Sequence, residues 1–213
     1  MHDTSEMNVK RFFNTYTKNQ TGNKNYTILE IGSYSDHSGY LPRHSAPIGT
    51  KFIGVDFIKG NNVDVVLTDE YKLPFDNESI DCVISSSCFE HAEFFWMSYL
   101  EIMRVLKPSG LFYMWAPSNG VFHRYPVDCW RFYPDSANAL VRWGNRNGFN
   151  SILLEQYTSL KVSDIWEDYV CVFLKHKGSL NEHPNRILEA NEPFGYKNGS
   201  VYPNSEFINL NGF

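Results

Sequence analysis

Residues 122–135, FHRYPVDCWRFYPD, gather one imidazole, two guanidiniums, two carboxylates and several aromatic rings in a single short stretch. A hydroxyl is a poor nucleophile until its proton has somewhere to go, and a histidine oriented by a carboxylate supplies that place. His123 is therefore expected as base, with Asp128 as its orienter. The reverse assignment, and His91 as base instead, stay open. Tyr125, Trp130 and Tyr133 suit stacking on a sugar face, while Arg124 and Arg131 suit acceptor hydroxyls or a phosphate. The competing reading is a packed aromatic loop braced by an Arg131 salt bridge.

Such groups act only if the fold brings them to one rim. Short apolar runs rich in β-branched residues, YTILEIG, KFIGVD, VDVVL, IDCVISSS and GLFYMWAP, read as buried parallel strands. SILLEQYTSL and YVCVFLK read as a closing pair. Helical spacing appears in SEMNVKRFFNTYTKN, in AEFFWMSYLEIMRVLKPSG up to Pro108, and in PDSANALVRWGNRNGF, where Ala139, Leu140 and Trp143 are expected inward. The fold class is α/β: a Rossmann-like, seven-stranded, mostly parallel sheet with an antiparallel hairpin edge and helices on both faces. Residues 1–177 are expected to form the domain, and the Asn-, Gly- and Pro-rich residues 178–213 an irregular tail packed on or flanking it.

In open parallel sheets the ligand lies outside the carboxyl ends of the strands. Three strand tips here offer acids: Glu30, Asp56 and Asp69. A carboxylate after the second strand can accept from two ribose hydroxyls at once, which suits Asp56. A dinucleotide fingerprint begun at Gly32 needs glycines where the chain has Tyr34 and His37. A pyrophosphate also disfavours a nearby acid such as Glu30, whereas S-adenosylmethionine brings a sulfonium and an ammonium. Ser85 to Cys88 lack the partners of a nucleophile triad, and Glu90 and His91 read as loop braces before chemistry. The spacing shows no carboxylate/histidine metal cluster, so no metal is expected.

ILEIGSYSDHSG, GVDFIKGNNVDVVLTDEYKLPFDNESIDCVIS, SCFEH, EIMRVLKPSGLFYMWAPSNG and HRYPVDCWRFYPD occur in this order. The chain thereby resembles class I S-adenosylmethionine-dependent methyltransferases, in a type 11-like branch often found beside glycan-assembly genes. The resemblance spans roughly residues 26–150. It implies that Glu30, Gly32 and Ser33 hold the methionine part, Asp56 and Phe57 the ribose and adenine edge, and Asp69 the adenine amino group. Ser86, Ser87 and Phe89 would line the cleft under the sulfonium. Tyr34 and Asp36 depart from the more glycine-rich first loop of the larger superfamily.

Composition narrows the partners. The 213 residues are 42% hydrophobic and 20% charged, with net charge -5. That length buries a core without disulfides, and no run approaches the ~20 apolar residues of a membrane span. Without a Lys/Arg run, nucleic acid is not expected as partner. Scattered Cys82, Cys88, Cys129 and Cys171, and a start without a targeting pattern, lead to the expectation of a cytoplasmic protein. The leading reading is an O-methyltransferase acting on a sugar hydroxyl, such as that of a deoxyhexose like rhamnose in a surface glycan. Another small hydroxyl or amine metabolite as acceptor, a non-catalytic cofactor-binding module, and a homodimer are left open.

Overall fold

A computed structural model describes residues 3–35, 41–163, 165–190, 194–204 and 206–210. Asp36 and His37, read above against the glycine-rich loop, lie outside the described residues. The strands are β1 (Thr27–Ile31), β2 (Lys51–Asp56), β3 (Val65–Val66), β4 (Ile80–Ser86), β5 (Leu106–Pro117), β6 (Ile152–Ser159), β7 (Asp168–Leu174), β8 (Tyr196–Val201) and β9 (Ile208–Leu210). They form one sheet in the order β3-β2-β1-β4-β5-β7-β6-β8-β9. Pairings from β3 to β5 are parallel, and those from β5 to β9 antiparallel.

The mixed α/β sheet fits the expected Rossmann-like class, with two corrections. Among the described residues it has nine strands rather than seven, and the β6/β7 pair does not form its edge, because β8 and β9 continue the sheet past it. Both extra strands come from the segment expected to be irregular. They are short and carry a register shift, so neither leaves a period in the sequence.

Alternating side chains build a core on each face of the sheet. On one face Leu29, Ile31, Val83, Phe112, Met114 and Phe173 pack with α2 (Phe95–Val105) and α3 (Asp135–Arg146). On the other, Ile28, Ile84, Tyr113, Trp115 and Val172 pack with Val9 and Phe12 of α1 (Asp3–Phe12), the following π turn (Phe13–Thr17), and Ile187 and Tyr196. Helices thus cover both faces. In α3 the inward residues are Ala137, Leu140 and Gly144, spaced by three and four. Ala139 and Trp143, expected inward, are exposed, and the Trp143 indole donates to the Trp96 carbonyl instead. Among the described residues no helix is long and apolar enough to cross a membrane.

Candidate functional site

The order β2-β1-β4-β5 sets four parallel strand ends side by side, and the loops leaving them carry nearly all the chemistry foreseen from sequence. At the tip of β1 the chain turns sharply. Gly32 has φ +73, and the N–H groups of Gly32 and Ser33 both donate to the Val55 carbonyl at 3.1 Å. A Cβ on Gly32 would lie 2.5 Å from Cys88 Cβ, so glycine is required both by conformation and by the close approach of the β4 loop.

Glu30 is almost fully buried, and burial raises its carboxyl to about 8. Asn62 Nδ2 donates to Glu30 Oε2 at 3.0 Å and to the Ser33 carbonyl at 2.8 Å. Asn62, itself at φ 69, sits in the β2–β3 loop and had no sequence signal pointing to it. Among the described residues, its Oδ1 and the Ser33 hydroxyl are buried without hydrogen-bond partners. Asp56 receives the N–H of Tyr34 at 3.0 Å and of Ile58 at 3.1 Å, which ties the loops after β1 and β2 to one carboxylate. Phe57 beside it is exposed. Asp69 is also exposed, and its Oδ1 closes a local turn by accepting from Tyr71 N.

Ser86 ends β4 and Ser87 follows it, both half-buried, with Ser87 at φ 47. Phe89, expected to line the cleft, instead points down into the core and packs against Phe112 at 5.6 Å. Cys88 is the joint between the two halves of the rim. It abuts Gly32, and its thiol, pushed up chiefly by burial, also feels Glu90, Asp56 and Glu30.

The stretch opened with above crosses the β4 loop. Both Cys129 N and Trp130 N donate to the Glu90 carbonyl, and the His91 Nδ1–H donates to the Val127 carbonyl. The His91 and His123 rings meet edge to face at 5.0 Å. His91 Nε2 lies 3.7 Å from Glu90 Oε1. Glu90 is 1% exposed, its Oε2 has no hydrogen-bond partner among the described residues, and burial raises its carboxyl to about 8. Glu90, His91 and His123 each offer one ligand atom, all within 4.8 Å of one another. This corrects the expectation that no carboxylate/histidine cluster exists. His123 stands 32 positions after His91, so linear spacing could not show it.

Asp128 and Arg131 differ from their expected roles. Arg131 Nη1 and Nη2 donate to Asp128 Oδ1 at 2.6 Å and Oδ2 at 2.9 Å, and further to the Trp130 and Val121 carbonyls. This fork holds the Asp128 carboxyl down at about 2. A guanidinium with four acceptors braces the loop and has little left to grip an acceptor. Asp128 positions His123 through the backbone, accepting its N–H at 2.7 Å, while the imidazole Nδ1 stands 3.5 Å off, too far for a strong bond. Trp130 donates to the Ala92 carbonyl and leaves part of its ring exposed, and Arg124, Tyr125 and Tyr133 are exposed. Trp166, which sequence reasoning missed, packs edge-on to His123 at 5.2 Å.

Residues 38–114 match the family model described as a methyltransferase domain. The fold is that of methyltransferases. A Burkholderia thailandensis 1,6-didemethyltoxoflavin-N1-methyltransferase, solved with S-adenosylhomocysteine, superposes with TM-score 0.58 at 11% identity, over 82% of this chain and 78% of that one. A chain from the complex of the Haloferax volcanii Trm112 methyltransferase activator with a methyltransferase gives TM-score 0.51 at 18% identity, over 81% and 94%. The [4+2]-cyclase SpnF gives 0.53 at 13%, over 81% and 80%. No curated protein matches the sequence. The family match and these folds support an S-adenosylmethionine-dependent methyltransferase with S-adenosylmethionine as its cofactor.

Proposed function

We propose that this protein is an O-methyltransferase that moves the methyl group of S-adenosylmethionine to a hydroxyl of a sugar. The observation that carries the reading is a single rim with a cluster of acidic and polar groups, Glu30, Ser33, Asp56 and Asn62, at one end and an imidazole pair at the other, joined through Cys88. The chemistry of that cluster suits the cofactor. Burial raises the Glu30 carboxyl to about 8, and an ammonium beside it would favour its ionised form. The orphaned Ser33 hydroxyl and Asn62 Oδ1 await polar partners, which an amino acid moiety offers. Asp56 retains acceptor capacity for ribose hydroxyls, and exposed Phe57 offers a ring to the adenine. Asp69 is the weakest of the assigned contacts, given its exposure.

When bound, the cofactor supplies an electrophilic methyl whose C–S bond breaks, with its electron pair left on sulfur, as the acceptor oxygen bonds to carbon. The chain's task is to align that oxygen, exclude water and dispose of its proton. His123 is assigned to activate the oxygen. His91 faces it with a defined tautomer, because its Nδ1–H is spent on Val127 and its Nε2 lone pair points into the rim. Exposed Tyr125, Trp130 and Tyr133 offer the flat, amphipathic surface that a pyranose face needs, with Arg124 at the margin.

The decisive experiment is labelled methyl transfer to a panel of deoxyhexoses and their glycosides, alongside calorimetric binding of S-adenosylhomocysteine. His123→Ala is expected to lower turnover by roughly 10²- to 10⁴-fold with little change in cofactor affinity. Asp56→Ala is expected to weaken cofactor binding instead. Amine acceptors methylated in preference to sugars would replace the acceptor class. Cofactor binding without transfer to any acceptor would leave only a binding module.

A further inference from the structure

We propose that Glu90, His91 and His123 form a binding site for one divalent transition-metal ion, with open coordination positions that face the acceptor. This rests on the reading of the imidazole rim as the acceptor wall and deepens it. Two imidazoles and one carboxylate are a donor set suited to zinc, iron(II), cobalt(II) or nickel(II) rather than to magnesium or calcium, which favour oxygen.

Three observations support an ion here. The first is proximity: one ligand atom from each side chain lies within 4.8 Å of the other two. Donors bound at about 2.0–2.1 Å from a tetrahedral ion stand about 3.3–3.5 Å apart. The Glu90 to His91 pair, at 3.7 Å, is already nearly there. His123, the more exposed of the two imidazoles, can close the rest by a small side-chain rotation.

The second is an unmet acceptor. Glu90 is 1% exposed, yet its Oε2 has no partner among the described residues. Its Oε1 faces His91 Nε2, and that nitrogen must carry a lone pair, since the ring's N–H already goes to Val127 from Nδ1. Two acceptors turned toward each other in a buried place need something positive between them. A proton on Glu90 serves in the free protein, and a metal ion serves better because it takes up all three donors.

The third is the surrounding support. A metal-bound imidazole characteristically gives its other N–H to a carbonyl or carboxylate. His91 does so to Val127, and His123 Nδ1 lies 3.3 Å from the Val121 carbonyl and 3.5 Å from Asp128 Oδ2. The opposing charge is Arg131, whose Nη2 lies 3.4 Å from His123 Nδ1. Its bidentate pairing with Asp128 largely neutralises it.

Three protein ligands leave room for water or an acceptor hydroxyl. With the ion bound, His123 activates the acceptor through it, and an ion-bound hydroxyl releases its proton to water. The test uses the full chain, stripped with chelator, verified as folded by circular dichroism and titrated with cobalt(II) chloride. Visible absorption and equilibrium dialysis are the readouts, and zinc-soaked crystals are examined by anomalous scattering. One ion per chain is expected, with affinity at least tenfold lower in His123→Ala and in Glu90→Gln, and an anomalous peak among the three side chains. Absence of stoichiometric binding, affinity in both variants equal to that of the unsubstituted protein, or a peak elsewhere would overturn the site. S-adenosylhomocysteine binding is measured on the same stripped protein. Its persistence without metal binding sinks the metal site alone, and its loss with metal binding intact sinks the cofactor reading alone.

Discussion

Glu30 connects a single side chain to a measurable property of the whole site. Burial raises its carboxyl from an ordinary value near 4.5 to about 8, so the folded protein holds a proton there that the unfolded chain releases. For folding the sign is fixed: the group favours the native state below the unfolded value and loses that contribution as pH rises toward 8. For a cationic ligand the sign is opposite, because an ammonium binds the ionised form. S-adenosylhomocysteine affinity is therefore expected to rise between pH 6 and about 8, by at most roughly tenfold per unit, with proton release visible as a buffer-dependent heat. Glu30→Gln should flatten that dependence. A profile unchanged by the variant would remove Glu30 from the pocket. Gly32 is a second single-residue test. Gly32→Ala adds left-handed strain and a 2.5 Å clash with Cys88, whereas Gly148→Ala, at φ +92 with open space around it, adds strain alone. Unfolding free energies from denaturant titration should fall in both, by about 1–3 kcal/mol from strain, and cofactor affinity should fall only in Gly32→Ala. Equal effects on cofactor binding would show that the loop accommodates the methyl group.

At the level of elements, β6 is where the late part of the chain is locked down. Glu155, buried in that strand, accepts from the Tyr16 hydroxyl at 2.5 Å, from Ile187 N at 2.8 Å and from Leu188 N at 3.0 Å. One carboxylate thus joins the first helical segment to the segment after β7. Glu155→Ala strands two buried donors and one half-buried one, so a loss of about 3 kcal/mol is expected in chemical denaturation, with faster hydrogen exchange at Ile187 and Leu188. Protected amides in the variant would mean that hydrophobic packing alone holds the segment. This docking was not legible in the sequence, since a glutamate in ILLEQYTS reads as an outward strand position. The strands β1, β2, β4 and β5 were legible, because continuous β-branched runs have few other uses, and so were α2 and α3, whose periods persist for several turns. Their inward faces were less so: Trp143 fell on the wrong side because a hydrogen bond to Trp96 holds it at the surface. In the site, Glu30, Gly32 and Asp56 follow from strand-end logic. Asn62, Cys88 and Glu90 acquire meaning only when loops distant in sequence meet, and Arg131 looked like a ligand grip until its four acceptors were counted.

The whole molecule differs from a bare parallel sheet in how it finishes its antiparallel side. β8 pairs with β6 along Glu155 to Ser159, and β9 pairs with β8, so the long buried strand is not left as an open edge. An uncovered edge of this length, ILLEQYTS, presents free N–H and C=O groups beside apolar side chains and invites pairing with another chain. Tyr157 is buried by the same segment, against Phe194 at 5.2 Å and Tyr196 at 6.2 Å. Truncation after residue 190 removes both strands and both rings while leaving the β2-β1-β4-β5 rim untouched. The truncated protein is therefore expected to lose stability and to self-associate in light scattering. Any monomer that survives should still bind S-adenosylhomocysteine, because every residue assigned to the pocket lies before residue 70 or in the β4 loop. A monomeric, fully stable truncation would show that β8 and β9 lie on the sheet without being needed by it. Loss of cofactor binding from a folded monomer would show instead that the two ends of the sheet are coupled through β5, β7 and β6, the strands that lie between β4 and β8.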